Sequence, residues 1–236
     1  ALMPGLMERA YEDYPDMQML SRKLNRMYAA QLSVGTAVIG ANRCMRFTVQ
    51  GIKNEYCINN EDLMAELCDV LLGVIFRPCL EDGAFVKDWL EVEKFKLRED
   101  IEGEINDKRG YCVKNARRKF FGDGLNGVER MGYLDVIDGI TAEMLYSCYK
   151  EMLDMAVVEI FITANNPDSA VEKLTEAFSY NRSAQADILP LTAVECKNAE
   201  FFTESMDTTQ GKVCLVYTTK RLLTEAENTY MLCQSE

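Results

Sequence analysis

Residues 31–51 read QLSVGTAVIGANRCMRFTVQG, a pattern typical of two antiparallel strands joined by a tight turn. The β-branched and alternating residues fall in 31–35 and 43–51, and residues 39–42, which include Gly40, form the turn between them. Alternate positions of the second run are apolar and predict one buried face: Met45, Phe47 and Val49. A β-hairpin is therefore expected near the start of the chain.

Helical patterns surround this hairpin on both sides. Apolar spacing and capping residues predict helices over 1–11, 63–76, 84–106, 113–121, 141–153 and 167–178. Residues 14–16 break the first pattern and start a further helix that runs through 21–28. The helix at 63–76 has the clearest limits, because Asp62 offers a cap before it and Pro78 follows it. A continuous apolar run predicts a further strand at 157–164. The fold class expected from this mixture is α+β.

The pattern changes after residue 178. Residues 179–197 are polar and weakly patterned, which is typical of a linker. Two further strands are predicted at 199–206 and 211–219, followed by a helix at 224–233. The predicted domains are therefore 1–178, without its N-terminal strands, and 198–236, as the truncated start of a second domain.

The chain contains no histidine among its 236 residues. Histidine is the commonest metal ligand and the commonest acid or base catalyst near neutral pH. Its absence excludes a Ser-His-Asp or Cys-His catalytic group in this segment, and it excludes a zinc site built on paired histidines.

The charge balance and the cysteines indicate the environment of the protein. A net charge of −12 opposes binding to nucleic acid or to an anionic membrane surface. The nine cysteines are scattered, with no CxxC pair, as in proteins that keep their thiols reduced. No apolar run is long enough to cross a membrane. We predict a soluble, cytoplasmic protein.

Several stretches together resemble the insulinase/pitrilysin-like zinc metallopeptidase family, and most closely its bacterial members that lack the metal site. No single stretch is specific, but their order and spacing are. The stretches lie at 5–9 (GLMER), 21–25, 28–30, 76–78, 93–108, 139–153 and 210–212.

Active members of that family carry an inverted zinc motif, HxxEH, whose two histidines bind zinc and whose glutamate activates the metal-bound water. The resemblance places Gly5 and Arg9 at the histidine positions and Glu8 at the position of the base. It places the downstream ligand at Glu99 or Asp100. We therefore predict no catalytic residue, no bound metal and no cofactor in this chain.

Arg9 would carry a fixed positive charge where active members hold their zinc ion. An unpaired charge beside Leu6 and Met7 would be costly, so we expect Arg9 to pair with an acidic residue of the helix around 91–104. Glu99 and Asp100 are the favoured partners.

The resemblance also implies a function. It predicts insulinase-like domains, each a mixed and mostly antiparallel sheet with helices on one face. It predicts a non-catalytic subunit that binds peptide and forms a closed chamber with a zinc-bearing peptidase partner, or with a second copy. Two alternatives stay open: a fragment of an active metallopeptidase with HxxEH outside this segment, and a stand-alone scaffold or maturation factor. The rest of the gene would test the first alternative, and the neighbouring reading frame, inspected for HxxEH, would test the second.

Overall fold

The computed structural model describes residues 1–59, 61–122, 124, 126–180, 185–190, 198–218, 223, 224, 226 and 227. In these residues, helices pack around an antiparallel hairpin, and a second, very short hairpin lies beside them. This mixture of helices and antiparallel strands agrees with the expected fold class.

The main hairpin is confirmed. Strand β1 spans Gln31–Ile39 and strand β2 spans Asn42–Gln50. Ile39 pairs with Asn42, so only Gly40 and Ala41 form the turn. Gly40 has a φ of +60°, which a residue without Cβ adopts with little strain. The partly buried residues that pack against the core from β2 are those expected: Met45, Phe47 and Val49.

Two short helices precede the hairpin. Helix α1 spans Leu2–Arg9 and helix α2 spans Met17–Arg26. The second begins directly after Asp16, as the sequence predicts, and Asp16 caps it by accepting a 2.7 Å hydrogen bond from the Met19 amide. Helix α1 contacts both β1 and a later helix, α4, and it contributes several buried side chains to the core: Leu2, Leu6 and Met7.

Helix α3 spans Leu63–Phe76, with the limits that the sequence predicts. The Asp62 carboxylate accepts a hydrogen bond of 3.2 Å from the Ala65 amide, and Pro78 follows two residues after the last helical residue. Val70 and Val74 are fully buried, so α3 forms the centre of the core.

Residues 80–121 form several separate elements. Strands β3 (Leu80–Glu81) and β4 (Ala84–Phe85) form the short hairpin, and helix α4 spans Lys87–Gly103. A 3-10 turn then leads into helix α5, Lys108–Phe121. Helix α5 begins five residues earlier than predicted because the Asp107 carboxylate accepts hydrogen bonds from two amides of its first turn.

Three helices follow: α6 (Leu134–Ile137), α7 (Ala142–Met155) and α8 (Asp168–Ala177). Thr141 caps α7, as predicted, by accepting a hydrogen bond of 3.2 Å from the Met144 amide. Inside the core, the Tyr149 hydroxyl donates a 2.8 Å hydrogen bond to the Ile75 carbonyl, which ties α7 to the end of α3.

Three predicted strands are wrong in the described part of the chain. Residues 157–164, 199–206 and 211–218 have no assigned strand. A strand needs a hydrogen-bonded neighbour, and none of the described residues pairs with these segments. Their apolar side chains are correspondingly exposed: Phe161 and Val213 both keep 87% of their surface accessible.

The predicted linker touches the rest of the structure at two described segments, 179–180 and 185–190. In the first, the Tyr180 hydroxyl donates a 2.6 Å hydrogen bond to the Leu153 carbonyl. The Asn42 side chain exchanges two hydrogen bonds with the backbone of Leu189, of 2.9 and 2.8 Å. The Ala186 amide donates a bond of 2.7 Å to the Met155 carbonyl. The domain limits 1–178, 179–197 and 198–236 stay predictions, and most of the helix predicted at 224–233 lies outside the described residues.

Two observations concern the predicted environment. No helix in the described ranges has both the length and the apolar content that crossing a bilayer requires. Seven cysteines are described and all are free thiols, whereas Cys196 and Cys233 lie outside the described residues. A cytoplasmic location stays a prediction.

Candidate functional site

Two of the positions that the sequence singled out, Gly5 and Arg9, meet helix α4. Gly5 and Arg9 lie four residues apart on α1, so both belong to one face of that helix. This face meets Glu93 of α4. The Arg9 Nη2 atom lies 2.7 Å from Glu93 Oε1, and the two side chains are only 16% and 13% exposed. The pair is therefore largely shielded from water.

Gly5 makes room for this carboxylate. A Cβ atom at position 5 would overlap Glu93 Oε2 and crowd the rest of the Glu93 carboxyl group. Glycine in a helix interior costs about 0.5–1 kcal/mol relative to alanine, so its presence here needs a local reason. The close approach of Glu93 supplies that reason.

The environment of Glu93 favours its charged form. Burial alone would raise the pKa of the Glu93 carboxyl, but hydrogen bonds from Lys96 and Arg9, with their positive charges, outweigh burial and lower it. Lys96 Nζ lies 2.8 Å from Glu93 Oε1, one turn along α4. The Arg9 guanidinium also lies 5.7 Å from the centre of the Trp89 ring, which favours a cation there.

Glu8 points elsewhere. Its side chain is exposed, and Oε2 accepts a hydrogen bond of 3.3 Å from the Val34 amide of β1. The Glu8 carboxylate therefore satisfies a backbone hydrogen-bond donor at the edge of the hairpin. Glu8 takes no part in the Arg9 ion pair.

The expected helix supplies the partner of Arg9, but the favoured residues do not. Arg9 pairs with Glu93, whereas Glu99 and Asp100 are exposed on α4. Asp100 lies seven residues, two helical turns, beyond Glu93 and so on a similar face of α4. The sequence therefore predicted the correct partner helix for Arg9, and Asp100 lies on nearly the correct face of it. The contact between α1 and α4 lies about two helical turns before the predicted position. The position of Glu99 or Asp100 as the downstream ligand stays a prediction.

The donor set at this site does not fit a zinc ion. Zinc in proteins takes three or four nitrogen, sulfur or oxygen ligands from the chain. Gly5 offers no side chain, Arg9 is a permanent cation and Glu93 is engaged by two cations. Within the described residues, no cluster of three or more Cys, Asp or Glu side chains is placed to hold a metal.

One edge of β1 lies beside this site. Strand β1 pairs with β2 through one edge, and no other described strand pairs with the opposite edge. Since the Val34 amide donates to Glu8, it points to this opposite edge. Backbone groups alternate in direction along an antiparallel strand, so the amides of Leu32, Thr36 and Val38 point the same way. Sequence reasoning predicted the strand but not its position beside α1.

No family model matches the chain. It is similar to a protein of Bacillus subtilis (strain 168) named "Probable inactive metalloprotease YmfF", with 24% identity over 238 residues. The match covers 96% of this chain and 54% of the relative, so the chain spans about half the length of the relative that it matches. This similarity supports the expected relationship to inactive metalloproteases.

A solved structure has a similar fold. It is described as the crystal structure of a conserved protein from Enterococcus faecalis V583. The superposition has a TM-score of 0.70 with 24% identity, and it covers 80% of this chain and 45% of that one. The arrangement of helices around an antiparallel hairpin is therefore one that a solved protein shares.

Proposed function

We propose that this chain is part of a non-catalytic, insulinase-like protein that binds peptides in an extended conformation without cleaving them. The whole protein would form a closed chamber, either with a zinc-bearing peptidase or with a second copy. Three facts support this proposal: the lack of histidine, the name of the similar Bacillus protein, and the ion pair between α1 and α4.

The ion pair is the observation that carries the proposal. In the active family, the face of α1 with positions 5 and 9 would bind zinc. Here Arg9 and Glu93 neutralise each other at 2.7 Å, and the Glu93 carboxylate takes the space beside Gly5. Arg9 supplies a fixed charge that holds the two helices together, so the scaffold needs no metal at this point.

The open edge of β1 supports the binding half of the proposal. An extended peptide can add to an unpaired strand edge through backbone hydrogen bonds. The edge next to Glu8 offers alternating amides and carbonyls, and Val34 already donates there to a side-chain carboxylate. A bound peptide would take over this donor with one of its own carbonyls.

Peptide binding with simultaneous analysis of the products tests the proposal. A fluorescein-labelled apolar peptide is titrated with the 236-residue chain while anisotropy is recorded, and the mixture is then analysed by mass spectrometry. We expect saturable binding and an intact peptide, with and without added zinc. A peptide N-methylated at alternate residues is the matched control, because it keeps its side chains but loses the backbone donors for one edge.

Two results would contradict the proposal. Cleavage of the peptide that is abolished by a single substitution in this chain would show that the chain is catalytic. Equal binding of the N-methylated and unmodified peptides would show that strand addition is not the mode of binding.

A further inference from the structure

A cleft in the described part of the chain lies beside α5. Its volume is about 490 Å³, and its walls are α5 and the segment 127–131. Clefts of about 300–1,000 Å³ are of the size that holds ligands. This cleft lies apart from the Arg9–Glu93 pair, and the function proposed above makes no use of it.

Helix α5 is strongly basic in an acidic protein. Its sequence, KRGYCVKNARRKFF, has six cationic side chains and no acidic one, whereas the whole chain has a net charge of −12. Four arginines line the cleft: Arg109, Arg117 and Arg118 from α5, and Arg130 from the opposite wall. Positive charge is thus concentrated at one place on the surface.

The acidic residues of the cleft are already engaged. Glu104 and Glu129 both bind the Lys114 ammonium, Glu129 at 3.3 Å, and the Asp107 carboxylate accepts the first amides of α5. These contacts also explain why the pKa of Lys114 is raised despite its burial.

The arginines, by contrast, keep their charge available. Arg117 donates a hydrogen bond from Nε to the Asn126 carbonyl, and its two terminal Nη atoms take no part in this bond. Arg109, Arg118 and Arg130 have no acidic partner among the described residues. The cleft therefore carries a net positive charge, since five cationic and three acidic side chains line it.

The same helix already holds a carboxylate from a segment of its own chain that has no assigned helix or strand. Glu204 accepts hydrogen bonds from the Tyr111 hydroxyl at 2.9 Å and from the Asn115 amide at 3.2 Å. Two residues earlier, the Phe202 ring lies 5.0 Å from Lys119 Nζ. A carboxylate from a polypeptide segment outside any helix or strand is thus compatible with the surface of α5, on the face next to the cleft.

We propose that the cleft between α5 and segment 127–131 binds the acidic side chains of an extended peptide. Guanidinium groups pair with carboxylates in a two-pronged geometry, so several arginines in one open cleft select glutamate and aspartate over neutral residues. Val113 and Met131 give the cleft apolar walls for the intervening side chains. The proposal rests on the peptide binding proposed above and adds the class of peptide.

Binding of matched peptides tests this inference. The probes are two labelled peptides, one of alternating glutamate and serine and one of alternating glutamine and serine, titrated with the full chain. We expect the glutamate peptide to bind at least about tenfold more tightly, and its affinity to fall as salt is added. The triple variant Arg109→Gln, Arg118→Gln, Arg130→Gln should remove this preference.

A matched control separates the cleft from general charge. The variant Arg22→Gln, Arg46→Gln removes two exposed cations that do not line the cleft and should leave the preference unchanged. Thermal unfolding of both variants shows whether they fold, and all five of these arginines are exposed, so we expect native stability. In a further experiment, free glutamate is added at the concentration of carboxylate groups that the peptide supplies. It should compete poorly with the labelled glutamate peptide.

The outcomes are distinguishable. Equal affinity for the two peptides, or a preference that survives the triple variant, would overturn the acidic cleft and leave peptide binding intact. Tighter binding of a single-stranded oligonucleotide, or full competition by free glutamate, would assign the cleft to another ligand. Failure of both peptides and of the apolar peptide to bind would overturn the proposed function as well.

Discussion

At the scale of single residues, the most informative contact is the ion pair of Arg9 and Glu93. Breaking a shielded pair by removing one partner leaves the other charge without compensation, and the loss is larger than the net value of the pair. Lys96 also contacts Glu93, so part of the compensation would remain if Arg9 were lost. The two partners should therefore respond differently to substitution.

We predict that Arg9→Ala lowers the free energy of unfolding by about 1–3 kcal/mol, because Glu93 then keeps only Lys96 as its cation. Urea denaturation followed by circular dichroism measures this. Lys87→Ala is the control, since Lys87 and its partner Glu143 are exposed and 3.5 Å apart, and it should cost less than about 1 kcal/mol. Equal losses in the two variants would contradict the special role of the shielded pair.

The stability contributed by Glu93 should depend on pH in one direction. The pKa of Glu93 is lowered in the folded chain, so above the ordinary glutamate value of about 4.3 the charged group stabilises the fold in full. As the pH falls below that value and through the lowered folded pKa, the unfolded state takes up the proton first and the contribution is lost.

We therefore expect the difference in unfolding free energy between the natural chain and Glu93→Gln to be constant near neutral pH and to shrink below about pH 4.3. Urea denaturation at a series of pH values measures it. A difference that grows on acidification would show that the sign of the pKa shift is wrong.

At the scale of elements, the crossing of α1 over α4 decides what positions 5 and 9 can do. Both face Glu93, so two histidines there would have a carboxylate beside them. We predict that the double variant Gly5→His, Arg9→His gains zinc binding, measurable by calorimetry. Adding Glu93→Gln should weaken that binding about tenfold or more. Zinc binding that is indifferent to Glu93 would place another residue, such as Asp100, in the ligand role.

Gly73 allows a second close contact, between helix α3 and a tyrosine ring. The ring of Tyr11, which is fully buried, lies against Gly73, and a Cβ at position 73 would overlap it. We predict that Gly73→Ala destabilises the chain by about 1–3 kcal/mol through this overlap. Gly103→Ala, at a helical position with open space around it, should instead stabilise by about 0.4–1 kcal/mol. Thermal unfolding of the two variants compares them directly.

At the scale of the whole molecule, the described residues near the C-terminal side leave much apolar surface accessible. Val213, Leu215 and Tyr217 are all strongly exposed, and no described strand covers them. Contiguous apolar surface of this kind promotes association.

We predict that the 236-residue chain associates at micromolar concentration, and that Val213→Lys with Leu215→Lys shifts it towards monomer. Sedimentation velocity over a concentration series measures the change. Thr209→Lys, at an exposed polar position of the same segment, is the control and should have no such effect. A monomeric natural chain at all concentrations would exclude this surface as an association site.

The limits of several helices and turns could be predicted from the sequence because the residues that set them lie within a few positions of each limit. Asp62 and Pro78 bracket α3, and Gly40 marks the turn of the hairpin, so each element carries its own start or stop within a few residues. The absence of histidine likewise follows from the sequence alone.

What only the tertiary structure decided depends on distant parts of the chain. Glu93 is 84 residues from Arg9, and the point at which α1 crosses α4, rather than any local pattern, selects it over Glu99 and Asp100. The apolar run at 157–164 has the composition of a strand, yet a strand exists only where a neighbour supplies hydrogen bonds, and no described segment does. Caps and turns act over a few residues, whereas ion-pair partners and strand pairing are set by packing across the whole fold.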